Sequence, residues 1–214
     1  MYSLQVPIMN DTFPDLRDQA YGGTGSKLGM WLFLFSEIMF FGMLFLLYAV
    51  YRTRHAAAFH AAAQNMDTAI GTLNTAVLLT SSLFVALSLH AIQEGRKRLS
   101  EVFLSAAIVL GVTFLVIKSF EWIAHFHHGL YPGSVALRGL GKGEIMFFGL
   151  YYIMTGLHGI HVFIGAVVLT IMLVLIHTGK IDKTRVTALE NAGLYWHLVD
   201  IIWIFLFPLF YLIR

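Results

Sequence analysis

Five stretches of this chain are each apolar over enough residues to cross a lipid bilayer: 28–51, 70–92, 102–123, 144–176 and 194–213. A spanning helix needs about 20 predominantly apolar residues. The hydrocarbon interior offers backbone groups no water, so a crossing segment must satisfy them internally, as a helix does. The chain is only 12% charged, against about 25% for a soluble domain. The predicted fold is therefore all-α, an integral membrane bundle of five transmembrane helices filling residues 28–214. Residues 1–27 are expected to form a cytoplasmic tail, exposed or interfacial. The fourth run is longer than a bilayer requires and should tilt or project beyond it. Pro208 lies in the last turns of the fifth and is expected to kink it.

Other classes fall away on composition. A net charge of +2 without a basic stripe interleaved with aromatics points away from nucleic acid. There is no cysteine, hence no disulfide framework, thiolate metal site or cysteine nucleophile. The first residues carry Asp11, Asp15 and Asp18 and no basic n-region, unlike a secretory signal peptide. Basic flanks set orientation. One side collects Arg17, Lys27, Arg96, Lys97, Arg98, Lys180, Lys183 and Arg185; the other has Arg52, Arg54, Arg138, Lys142 and Arg214, with Lys118 a further candidate. The richer side should be cytoplasmic, which puts the N-terminus inside and the C-terminus outside.

Polar residues within the apolar runs carry the functional information. Glu37 sits inside the first; a charged residue at a helix centre costs about 2.5–3.5 kcal/mol on insertion scales, so it should be neutralised, paired or turned toward protein. A hydrogen bond to a histidine of the fourth run is one expectation. There, His158 and His161 are three apart on one face, with Gly156, Gly159 and Gly165 making room for a neighbour. They read as a satisfied structural pair, since a catalytic metal needs a third ligand and an open position. His125, His127 and His128 precede Gly129 in a segment expected to meet water, and their spacing is not that of membrane histidine boxes; no metal site is predicted. Asn74, Ser81 and Ser88 recur every seven residues, flanked by Thr75 and Ser82, the pattern of a packing seam. Lys118 and Glu121 can pair along one helix, or bind a lipid ammonium or phosphate. His197 and Asp200 share a face and read as an interhelical clamp or a proton relay. Trp196 and Trp203, seven apart, suggest an aromatic belt.

Taken together, GMWLFLFSEIMFFG, LNTAVLLTSS, KSFEWIAHF, YYIMTGLHGIHVFIG and YWHLVDIIWIFLF resemble, in order, the motifs of subunit III of haem–copper terminal oxidases, in its five-helix bacterial form. Pro208 departs from the apolar residue expected after the last motif. The resemblance implies a non-catalytic subunit of a proton-pumping cytochrome c oxidase in the bacterial cytoplasmic (inner) membrane. It would pack on subunit I, where oxygen is reduced to water, with subunit II and further respiratory-complex subunits as partners. Haems and copper would reside in those partners and structural phospholipid would bind here. The resemblance also implies site residues: Glu37 as the buried carboxylate supporting proton uptake, and His158, His161, His197 and Asp200 as intramembrane polar partners. Glu121, with Trp122, Trp196 and Trp203, would serve lipid binding or an interface. No residue is expected to be catalytic and none to hold metal. The same subunit in a quinol oxidase, or the related nitric oxide reductase accessory protein, is the near alternative. A stand-alone proton-coupled carrier and a histidine-box metalloenzyme are alternatives from other classes.

Overall fold

The computed structural model describes residues 14–134, 137, 139 and 141–213, the first eleven of these as helix backbone only. Six helices follow in order: α1 Pro14–Arg54, α2 Ala56–Ala63, α3 Thr68–Gln93, α4 Lys97–His127, α5 Lys142–His177 and α6 Thr187–Tyr211. All but α2 are long and apolar enough to cross a membrane, giving five candidate spans. Helix α1 begins at Pro14, so half of the predicted tail continues the first span; residues 1–13, Arg138 and Arg214 lie outside the described residues. The alanine-rich α2 turns the chain between α1 and α3. With 36 residues, α5 is about 54 Å long at 1.5 Å per residue, well over the roughly 30 Å hydrocarbon core.

Local chemistry sets the ends. Asp67 caps α3, its Oδ1 accepting from the amides of Ala69 at 2.9 Å and Ile70 at 3.2 Å. The other end of α3 closes on Gly95 with φ +79°. Arg96 N reaches Ala91 O at 2.8 Å and Gly95 N reaches Ile92 O at 2.9 Å. This paired closure needs a left-handed residue, which glycine adopts freely. Gly179 ends α5 in the same way.

Helix α6 is the hub. Over half of its span is buried (56%) against 11% of α1, so α1 lies peripherally across α5 and α6. Helices α3 and α4 pack most extensively against each other, along the seam read from sequence. Ser81 Oγ donates to Ala107 O at 2.8 Å, Ser88 Oγ meets Ser100 O and Oγ at 3.0 and 2.9 Å, and Asn74 Nδ2 reaches Phe114 O at 3.5 Å. Hydroxyls of this size let two backbones approach and satisfy themselves across the contact.

The predicted aromatic belt is corrected. Trp196 and Trp203 are 0% and 1% exposed and lie inside the bundle. The slot for Trp196 is cut by Gly111 of α4 and Gly165 of α5, where a Cβ would fall 2.6 and 2.7 Å from its ring. Trp203 donates to Thr75 Oγ1 at 3.0 Å. The indoles thus serve interhelical packing, and lipid does not reach them. Pro208 stays within α6, whose last turns are held by Tyr48, donating to Leu209 O, and by Thr68 Oγ1, 3.1 Å from Tyr211 O.

Candidate functional site

Two polar assemblies lie within the spans. The first joins α1 to α5. Glu37 Oε2 lies 3.0 Å from His161 Nε2, and His161 Nδ1 lies 2.7 Å from Leu157 O. A carbonyl only accepts, so Nδ1 carries a hydrogen. Nε2 then either accepts from a protonated Glu37 or, as imidazolium, donates to a Glu37 carboxylate. The two forms have the same net charge and differ only in where one proton sits. Both side chains are partly exposed, at 18% and 16%, because they face a cleft of about 570 Å³. Phe33, Ile164, Val168 and Ala192 make its walls apolar. Toward the start of α6 the cleft is tied by Lys27 Nζ–Glu190 Oε2 at 2.9 Å and Asn191 Nδ2–Ser26 Oγ at 3.0 Å.

The second assembly is closed. Lys118 Nζ lies 3.2 and 3.3 Å from the Glu121 oxygens, 2.9 Å from Tyr151 Oη and 2.5 Å from Tyr211 Oη. Both phenols donate to Glu121 Oε1 at 2.5 Å. Each hydroxyl thus accepts from the ammonium and donates to the carboxylate. The group joins α4, α5 and α6, with Lys118 and Glu121 only 5% and 7% exposed. The Lys118–Glu121 pair expected from the spacing is present, and the Glu121 carboxylate is enclosed by protein, which disfavours the alternative of a lipid headgroup bound to it. Of the four residues expected to serve lipid binding or an interface, Trp122 alone keeps an accessible position, lining a groove between α4 and α5.

His158 and His161 do not act as a pair. Three residues turn a helix by 300°, leaving 60° between the side chains, and at this crowded junction that sends them to different neighbours. His158 is 1% exposed, stacked on Trp203 (5.0 Å, 29°) and edge-on to Phe114 (5.6 Å, 79°). Neither of its ring nitrogens has a hydrogen-bond partner among the described residues, so the reading of a satisfied pair fails for it. On α6, His197 Nδ1 meets Ser82 Oγ at 2.6 Å, tying α6 to α3. Asp200 also approaches the Ser82 hydroxyl, though among the described residues neither of its carboxyl oxygens has a partner in strict hydrogen-bonding geometry; the well-formed link of the expected clamp is that of His197. The outer histidines also part. Helix α4 extends through His127, His125 turns inward against Tyr151 (5.6 Å), and His127 and His128 are exposed. Among the described residues no three His, Cys, Asp or Glu side chains gather in metal-binding range.

Tyr151 and Tyr211 escaped the sequence reading, being 30 and 90 residues from Glu121. A signal was present: Tyr151, His158 and Gly165 recur every seven residues on α5, and all three are buried.

Residues 8–213 match the family model of cytochrome c oxidase subunit III. A cytochrome c oxidase subunit 3 from Thermostichus vulcanus is 31% identical, covering 87% of this chain and 86% of the relative. A cytochrome bo(3) ubiquinol oxidase subunit 3 from Pseudomonas aeruginosa is 27% identical over 91% of this chain and 88% of the relative. A haem–copper oxidase subunit I+III from Aeropyrum pernix is 28% identical over 87% of this chain, which spans only 22% of that longer protein. A match over nearly the whole length, on a bundle of five candidate spans, is conclusive: the chain belongs to the cytochrome c oxidase subunit III family, non-catalytic subunits of haem–copper oxidases.

Proposed function

We propose that this chain supports a proton-pumping terminal oxidase by packing beside subunit I in a bacterial cytoplasmic membrane, N-terminus inside. There it retains phospholipid in the Glu37 cleft and sustains proton uptake by its partner. The observation that carries the reading is the Glu37–His161 pair, a carboxyl and an imidazole in hydrogen-bond contact at the wall of an open apolar cleft. Such a pair can exchange a proton without changing its net charge. The I+III relative from Aeropyrum pernix supports subunit I as the direct partner.

The test is purification under mild detergent, followed by turnover of the native and Glu37→Gln complexes. Haem should co-purify with both. The variant should lose turnover faster during sustained catalysis, because Gln keeps the hydrogen bond and lacks the movable proton. Purification without a haem-bearing partner would refute the assignment, and unchanged endurance in Glu37→Gln would refute the proton role. The Pseudomonas aeruginosa relative favours a second reading, the same role in a quinol oxidase; oxidation of cytochrome c against quinol by the purified complex decides between them. Substrate-dependent proton flux by the isolated chain in liposomes would instead indicate a carrier.

A further inference from the structure

A line of oxidisable rings leads from the outside of the bundle to the Lys118 network. Trp122 lines the groove between α4 and α5. Its ring centre is 5.3 Å from that of Tyr152, which is 5.3 Å from that of Tyr151. Tyr151 and Tyr211 both donate to Glu121 Oε1, and the ring of Tyr211 lies 6.4 Å from that of Trp203. Each ring spacing falls within the range of direct aromatic contact.

Packing does not call for these residue types. Tyr152 Oη and Trp122 Nε1 are buried and have no hydrogen-bond partner among the described residues. A buried polar group without a partner is a cost, and phenylalanine would fill the place of Tyr152 without it. Tyrosine and tryptophan differ from phenylalanine in giving up one electron readily. The inner end of the line also differs from the other tyrosines. A phenol becomes a neutral radical only if its proton has somewhere to go. Tyr48 and Tyr195 donate to backbone carbonyls, which are too weakly basic to take it. Tyr151 and Tyr211 donate at 2.5 Å to a carboxylate, a base already in place.

We propose that Tyr151 and Tyr211 form a redox site that takes up one oxidising equivalent from organic peroxyl radicals at the membrane face, through Trp122 and Tyr152. The peroxyl radical accepts an electron from Trp122 and a proton from interfacial water, and leaves as a hydroperoxide beside hydroxide. Tyr152 refills Trp122, and Tyr151 refills Tyr152. The Tyr151 O–H bond breaks, its proton passes to Glu121 Oε1, and a neutral phenoxyl radical remains. The positive charge gained stays in the network as the Lys118 ammonium beside a neutral Glu121. That charge drives the proton back to the phenol when a quinol returns one electron. The quinol leaves as a semiquinone, and the proton it releases neutralises the hydroxide. The site goes beyond the role proposed for the Glu37 cleft and does not depend on it. Haem co-purification tests membership of an oxidase, and the radical tests this site.

The experiment uses the intact oxidised complex, with ordinary or ring-deuterated tyrosine, warmed with a lipophilic azo initiator in aerated detergent and frozen for electron paramagnetic resonance. The native complex should give a tyrosyl signal, narrowed by ring deuteration, that added quinol removes. The double variant Tyr151→Phe, Tyr211→Phe should lose this signal and accumulate oxidised Trp122, read by peptide mass spectrometry. Tyr152→Phe should do the same, and Tyr152→Trp, which restores an oxidisable ring, should regain the signal. Tyr195→Phe should leave it unchanged. No signal in the native complex, an undiminished signal in the double variant or in Tyr152→Phe, equal loss in Tyr195→Phe, or persistence with quinol would each overturn the proposal. So would a Tyr152→Trp complex as silent as Tyr152→Phe, because the ring would then matter by shape alone. Unchanged haem content shows that a variant assembles; if the double variant loses haem, the two substitutions of Tyr152 decide alone.

Discussion

Replacing Lys118 by Met separates the enclosed network from an ordinary ion pair. The substitution fills much the same volume and removes the ammonium that pairs with Glu121. The carboxylate would retain the two phenol donors at 2.5 Å, but its charge would stand in a site where its side chain is 5% exposed. Breaking one partner out of a buried pair costs about 3–5 kcal/mol, because the remaining charge is left without compensation. For a protein of this size about 1 kcal/mol moves a melting midpoint by roughly 2–4 °C, so Lys118→Met should lower it by about 6–20 °C. Glu121→Gln strands the ammonium in the same way and should cost a similar amount. The double variant removes both charges and should cost at most about half the sum, a coupling of roughly 3 kcal/mol or more. Thermal midpoints of the purified complex in one detergent, for all four members of the cycle, give the answer. Additivity within about 0.5 kcal/mol would refute the reasoning, since independent sites add to that accuracy.

Three further outcomes follow from distances. Tyr151→Phe removes one donor to Glu121 and should cost about 1–2 kcal/mol, the upper end of interhelical hydrogen bonds in membrane proteins, read from the same midpoints. Gly165→Ala sets a methyl 2.7 Å from the Trp196 ring and should destabilise by about 1–3 kcal/mol; Trp196→Phe added to it should restore part of the loss, whereas Trp196→Phe alone should only cost stability. Glu37→Leu deprives His161 Nε2 of its partner and should cost about 0.6–1.7 kcal/mol. Glu37→Gln should cost less, and infrared difference spectra should show that any protonated-carboxyl band present in the native complex is lost in both.

The spans were legible because hydrocarbon imposes a length and a composition, and residues 28–51 or 194–213 meet both. The seam of Asn74, Ser81 and Ser88 was legible for a related reason: seven-residue spacing fixes a face before any partner is known. Where the reading failed, it lacked the neighbour. Trp196 has the period of a belt residue, and only the meeting of Gly111 with Gly165, from two other helices, shows that its ring is enclosed. Glu121 looked available at a helix end because Tyr151 and Tyr211 are remote in sequence. His158 and His161 share a face by spacing, yet α5 stands where three neighbouring helices meet, and 60° of rotation is enough to divide them.

The two polar assemblies differ in the property that separates support from function. In the Lys118 network ammonium, carboxylate and both phenols are all engaged within one buried knot, and a proton leaving it would strand a charge inside protein. Its geometry suits a rigid tie between α4, α5 and α6. The Glu37–His161 pair has the reverse character. Its single shared proton can rest on either residue at the same net charge, and the cleft beside it is open. It also joins the least buried helix to the rest of the bundle. A change in hydration or lipid occupancy in the cleft would act directly on the position of that proton, while leaving the Lys118 knot and the α3–α4 seam untouched. Sensitivity of turnover endurance to lipid removal should therefore vanish in Glu37→Gln and persist in Tyr151→Phe. Equal sensitivity in the two variants would place the lipid effect elsewhere in the complex.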